Sequence, residues 1–345
     1  MKKFTFIALP IAIYWLFGCA EKSELNHLEG FAQGTTYHIT YELKNKAEQL
    51  IIETEIADEL DRLDAAISNY RDDSTIEKFN TQFNTQPQII SEEIVQLIEI
   101  ARKVSNASHG CYDLTVTPLF DLWGFKKDKF NVPSDEILQQ TLNLVGMNKL
   151  ETVDKNHVRK ALPNLQVDLS SIGQGYSVGR LADILEQHFV ENYLVEIGGE
   201  LKTRGKKPDG KAWRIALEKP LPNERTLHKI VAFNSGEPMS LIASGTYRHY
   251  FDDNGKRYSH ILDARTGKPV AHNTVAVTVF HANPTIAGAW STALLCLGSA
   301  EGINVANENN IAALYIDQEG EILTEKNTRS LDTMHNIAIY PAERD

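Results

Sequence analysis

The chain has 345 residues, 42% of them hydrophobic and 23% charged, which is enough to bury one large core or two modest ones. Its formal net charge is −11, and no Lys/Arg-rich run with interleaved aromatics occurs, which argues against nucleic acid as a partner. An acidic chain that binds an anion needs local help from backbone N–H groups, arginines or a metal cation.

The N-terminus reads as a targeting segment. Lys2 and Lys3 precede an apolar run from Phe4 to Phe17. That run is too short for a comfortable transmembrane helix, which needs about 20 residues, and suits a signal h-region. It ends Leu16-Phe17-Gly18-Cys19, which resembles a bacterial lipobox despite the bulky Phe17. The expectation is a signal peptide over 1–18, a lipid anchor on Cys19, and a tether over 19–28 outside the cytoplasm, in preference to a plain secretory signal or an uncleaved anchor. Cys111 and Cys296 are the other cysteines. An oxidising compartment permits one disulfide, but two buried thiols are the simpler expectation.

Thr35 to Tyr41 alternates and is rich in β-branched and aromatic residues, so it predicts a strand. Ile52, Ile56, Leu60, Leu63 and Ile67 recur at helical spacing, and a polar loop from Ser68 to Ser74 follows. Ser91-Glu92-Glu93 is an N-cap with acids in the first turn, opening a helix to about Ser105. Pro133-Ser134-Asp135-Glu136 repeats that signal before a shorter helix. Short strands are expected near Leu150 and Val158.

The stretch from Val167 to Leu185 reads as a strand ending on Asp168, a tight Ser/Gly segment to Gly175, and an amphipathic helix. A strand, a glycine turn and a helix start can cradle a phosphate on free N–H groups, although ordinary turns share these residues. Further strands are expected at Tyr193–Ile197, Leu201–Arg204, Trp213–Leu217, Lys229–Phe233, Met239–Ala243, Tyr258–Leu262, Thr274–His281 and Ala312–Ile316. Pro284 to Leu297 predicts an Ala/Leu-rich helix. Helices and strands mix without a βαβ rhythm, so the expected class is α+β, with one catalytic unit over 29–345.

Candidate chemistry gathers in a few places. Tyr70 is a large aromatic in a polar loop, and Cys111, Tyr112 and Asp113 open a dense aromatic segment. His260 is able to exchange a proton near neutral pH, although a lone histidine is commonly structural. No Walker loop, HExxH, Gly-x-Ser-x-Gly elbow or dinucleotide fingerprint occurs.

The order of these segments is more specific than any one of them. Gln33-Gly-Thr-Thr-Tyr, Ser68-Asn-Tyr and Gly110 to Asp113 with Leu-Trp-Gly-Phe come first. Asp168-Leu-Ser-x-Ile-Gly-x-Gly-Tyr and Ile197-Gly-Gly-Glu-Leu follow. Ser259-His-Ile-Leu-Asp-x-Arg-Thr-Gly and Ala287-x-Ala-Trp-x-Thr close the series. This series resembles the ApbE-type FAD:protein FMN transferases throughout. The resemblance implies a two-subdomain fold with FAD between the subdomains and Mg²⁺-dependent cleavage of the FAD pyrophosphate. FMN passes to a threonine of a partner protein and AMP leaves. Partners in such a family are flavin-carrying subunits of membrane redox complexes, of the Na⁺-translocating NADH:quinone reductase or Rnf type, reached here from the periplasmic side of the membrane.

Carried over by position, Gln33, Tyr70, Cys111, Tyr112, Asp113, Asp168, Gln174 and Leu262 are expected at FAD. Ser171 would offer a backbone carbonyl to the metal and Thr292 its hydroxyl, while His260 would take the threonine proton. The chain departs from the family pattern at Gly288, where a metal-binding aspartate is expected, and at Gly179, where relatives commonly carry Asp. Gln33 and Gln174 replace a frequent Met and a Lys or Glu. Mg²⁺ usually keeps at least one carboxylate ligand, so Gly288 leaves open an alternative carboxylate or a weakened metal site. An FAD pyrophosphatase and a non-catalytic flavin-binding lipoprotein are the competing readings.

Overall fold

The computed structural model describes residues 24–221 and 226–342. The expected signal peptide and the lipidation residue Cys19 lie outside the described residues. An eight-stranded antiparallel sheet forms the frame. Its strands are β1 (Glu24–Ala32), β2 (Thr35–Leu43), β3 (Tyr193–Ile197), β4 (Glu200–Arg204), β5 (Met239–Gly245), β6 (Thr274–His281), β7 (Ala312–Glu319) and β8 (Ile322–Asn327). They lie side by side in chain order, and the long excursions between them carry the helices. The helices are α1 (Gln49–Ile67), α2 (Thr75–Asn80), α3 (Glu92–Ala107), α4 (Thr117–Trp123), α5 (Asp135–Leu142), α6 (Ser170–Gln187), α7 (Pro284–Glu308) and α8 (Arg329–Asp332).

Alternation along the strands builds two faces. Ile242, Val277, Val279, Ala313 and Tyr315 bury against the first part of α7. Ile39, Tyr41, Val195 and Ile197 on the same side meet α1 and α6. On the opposite face, Leu241, Phe280 and Leu314 pack on a three-stranded sheet that supplies Trp213, Val231, Phe233 and Ile337. Helix α7 is apolar nearly all round because it is buried on most sides. Its regular course breaks at Gly298 (φ 68°), one residue past the predicted end.

Three local expectations need correction. Strand β1 starts at Glu24, inside the segment expected as a tether. It is the sheet's edge and is half-exposed, so it needs few apolar residues and its polar composition hides it. Secondly, Val167 and Asp168 are not in a sheet. Two side-chain amides replace the neighbouring strand. Asn80 donates to the Val167 carbonyl (3.0 Å) and accepts from its N–H (2.8 Å), and Asn69 accepts from Leu169 N–H at 2.6 Å. Thirdly, Cys111 and Cys296 form a disulfide with Cα atoms 6.0 Å apart, rather than remaining two thiols. Their 185-residue separation conceals a contact made when α7 packs beside the Gly110–Asp113 segment.

Candidate active site

A cleft of about 410 Å³ opens where the start of α6, the third and fourth turns of α7, the β3–β4 turn and the end of β5 converge. The 111–113 and 260–262 segments complete its wall. A smaller cavity of about 200 Å³, lined by Gln33, adjoins it, and Tyr70, Ser170 and Gln174 border both. Every residue expected at FAD or the metal from the resemblance therefore borders this groove, apart from Gly288, which adjoins it through Ser171 and Glu200.

Their local settings differ. Gln33 and Gly34 form the β1–β2 turn with φ of 51° and 75°, the left-handed pair of a type I′ hairpin. The turn points the Gln33 amide at Ser177 Oγ, 2.7 Å away on α6. Tyr70 is 87% exposed at the lip, free to offer a ring face. Gln174 lies over the Gly198-Gly199 turn, where a Cβ at position 198 would strike its amide. Tyr112 is buried and shares a 3.1 Å hydrogen bond with Ser171 Oγ, while burial raises its phenol pKa. Leu262 and the Cys111–Cys296 disulfide supply apolar wall.

Two acids of the cleft wall also bind backbone. Asp113 accepts from the Thr115 N–H (2.7 Å), the Thr115 hydroxyl (2.6 Å) and the Met147 N–H (2.8 Å), so both its oxygens are engaged. Asp168 accepts from the Ser170 N–H at 2.8 Å. Helix α6 begins at Ser170, so the segment expected as a tight turn is already helical. Its first N–H is thus bonded to the Asp168 carboxylate and is not free for a phosphate.

His260 Nδ1 lies 2.9 Å from the His249 carbonyl. A carbonyl only accepts, so Nδ1 carries the proton and Nε2 keeps its lone pair. Burial pushes the imidazole pKa down to about 4, so the ring is neutral at physiological pH.

Around position 288 the site is made of oxygens. A Cβ on Gly288 would stand 3.5 Å from the Ser171 carbonyl oxygen and 3.8 Å from Glu200 Oε2. Thr292 is one helical turn on and faces the same side. Its hydroxyl is 3.4 Å from Ser244 Oγ, which is 2.8 Å from Ser291 Oγ. Glu200 Oε2 is sealed from solvent and has no hydrogen-bond partner. Burial raises this carboxyl to about 8. Glu200 was absent from the sequence-based set. The signal available was its place directly after a Gly-Gly turn at the end of an apolar strand.

The match to known proteins runs the length of the cleft and beyond. Residues 33–315 match the ApbE family model. The FAD:protein FMN transferase of Vibrio cholerae is 37% identical over 306 residues, covering 87% of this chain and 90% of that protein. The FAD:protein FMN transferase of Escherichia coli K12 is 34% identical over 334 residues, covering 92% and 93%. The flavin transferase ApbE structure from Vibrio cholerae superposes with a TM-score of 0.81 at 35% identity, over 90% of this chain and 99% of that one. The apo flavinyl transferase ApbE of Pseudomonas stutzeri gives 0.81 at 35%, over 90% and 96%. With a family match across most of its length and relatives of this identity, the chain belongs to the ApbE family of flavin transferases.

Proposed function

We propose that the cleft binds FAD and transfers its FMN half to a threonine hydroxyl of a flavoprotein acceptor. The observation that carries this reading is a neutral His260, with its Nε2 lone pair available, in the same cleft as the Ser171, Glu200 and Thr292 oxygens. The threonine Oγ attacks the flavin-side phosphorus and forms a phosphoester. The phosphoanhydride bond breaks, and AMP leaves with the bridging oxygen. His260 Nε2 takes the hydroxyl proton, since the free hydroxyl is far too weak an acid to ionise at neutral pH. Binding the anionic pyrophosphate near His260 raises its basicity toward the value this step needs. Tyr70 offers a stacking face to an aromatic ring of FAD, and Gln33 and Gln174 offer amides to its polar edges.

The donors around Ser171 and Thr292 are all oxygens, which suits Mg²⁺. When bound, Mg²⁺ supplies positive charge against the negative charge that builds on the phosphate oxygens. Asp113 acts through structure, by clamping the start of α4 and the Met147 turn.

The lipobox-like Leu16 to Cys19 supports a lipid anchor on the periplasmic side of the membrane. Subunits of the Na⁺-translocating NADH:quinone reductase or Rnf type are the acceptors such an anchor would serve. Purified protein incubated with FAD, MgCl₂ and a threonine-bearing acceptor domain tests the activity. In-gel flavin fluorescence on the acceptor is expected, whereas free FMN with an unlabelled acceptor would identify a pyrophosphatase. Cys19→Ser is expected to move the protein from the membrane to the soluble fraction.

A further inference from the structure

We infer that Glu200, at the first position of β4, supplies the carboxylate of a divalent-cation site whose other protein donors are the Ser171 carbonyl and the Thr292 hydroxyl. The inference rests on the flavin-transferase reading only for the need for a cation. The geometry stands on its own. Glu200 Oε2 is closed off from solvent and accepts no hydrogen bond. A buried carboxylate oxygen in that state is costly unless a cation or donor completes it. It lies 3.8 Å from the point where a Cβ on residue 288 would stand, and the Ser171 carbonyl lies 3.5 Å from the same point. Both oxygens thus face the one space that a side chain at 288 would enter, and glycine leaves that space open.

Two features hold Glu200 there. The β3–β4 turn, Gly198-Gly199, has φ of 56° and 93° and starts β4 at residue 200. Gly175 on α6 lacks the Cβ that would sit 3.1 Å from Glu200 Oε2. An aspartate at 288 would enter without backbone collision, because its Cβ contacts are ordinary van der Waals distances. The chain therefore has one carboxylate where an aspartate at 288 would give two.

Mn²⁺ alone, titrated into the full chain in detergent and followed by loss of its free EPR signal, tests the assignment. One site is expected, weakened about tenfold or more in Glu200→Gln and tightened about tenfold in Gly288→Asp. Glu200→Asp, one methylene shorter, is expected to fall between wild type and Glu200→Gln, and melting curves show that each variant is folded. Unchanged Mn²⁺ affinity in both Glu200 variants, or no Mn²⁺ bound by the wild type, overturns the assignment. FAD binding by flavin fluorescence without metal is expected to survive Glu200→Gln. Its absence from the wild type would count against the flavin reading and leave the Mn²⁺ result to judge Glu200.

Discussion

Helices α6 and α7 cross closely beside the cleft, and three glycines at that crossing give a graded test of the packing. A Cβ at Gly175 would collide with the Pro284 carbonyl oxygen and sit 3.0 Å from its carbonyl carbon. Neither atom belongs to a flexible side chain, so Gly175→Ala forces the two helices apart. Overpacking of this kind costs about 1–3 kcal/mol, and a backbone obstacle places it near the top of that range. Replacing glycine by alanine inside a helix returns about 1 kcal/mol. The net expectation is a loss of about 1–2 kcal/mol. At Gly179 the obstacle is Pro284 Cγ at 3.3 Å, a ring carbon that can give slightly, so gain and cost nearly cancel for Gly179→Ala. At Gly288 nothing is nearer than 3.5 Å, and Gly288→Ala is expected to stabilise by about 1 kcal/mol. Urea titration of the flavin-free protein, followed by far-UV circular dichroism, ranks the three. A Gly175→Ala protein as stable as wild type, or a Gly288→Ala protein less stable than Gly175→Ala, would refute this account of the crossing.

Other expectations concern the cleft. With His260 held near a pKa of about 4, the base is neutral above that pH and protonates as pH falls through it. The acid limb of kcat/KM for FAD is therefore expected near pH 4, not at the usual histidine value of about 6.5, and a limb at 6.5 would contradict the burial argument. His260→Asn is expected to lower kcat by about 10²–10⁴ with FAD binding retained, as read by single-turnover acceptor labelling. Tyr70→Ala should leave the urea midpoint unchanged, because the ring is 87% exposed, and weaken FAD binding about 3- to 10-fold by fluorescence titration. Replacing Cys111 and Cys296 by serine opens a loop spanning 185 residues, for which chain entropy sets a ceiling of about 5 kcal/mol. A loss of about 2–4 kcal/mol is expected in the same urea assay, and no loss would show that the disulfide does not constrain the unfolded chain.

Much of this protein could be read from local pattern. The spacing of Ile52 to Ile67 gave α1, Ser134 caps α5 as expected, α3 starts after Ser91 although the Ser91 hydroxyl makes no capping bond, and β6 spans Thr274 to His281. In the helices one face is buried against a neighbour, so the period is written into the residues, whereas β6 is buried on both faces and is marked by its β-branched and aromatic content. The ordered motifs from Gln33 to Thr292 likewise marked out residues that line one groove. What failed depended on contacts distant in the chain. Val167 looked like a strand because it is apolar, but Asn69 and Asn80, about a hundred residues earlier, hold its backbone by side-chain amides. Asp113 lines the cleft as expected, but nothing near it in sequence shows that the Met147 turn engages one of its oxygens. Cys111 meets Cys296 only because α7 folds back on the sheet. Glu200 is the sharpest case. Its sequence neighbours give a turn and a strand start, and only the approach of Gly175 and Gly288 on two helices closes its Oε2 off from water. The sequence by itself determined which residue types were available and which family they belong to. Tertiary packing decided which of them are desolvated and left without partners, because burial is a property of what the rest of the chain places around a group.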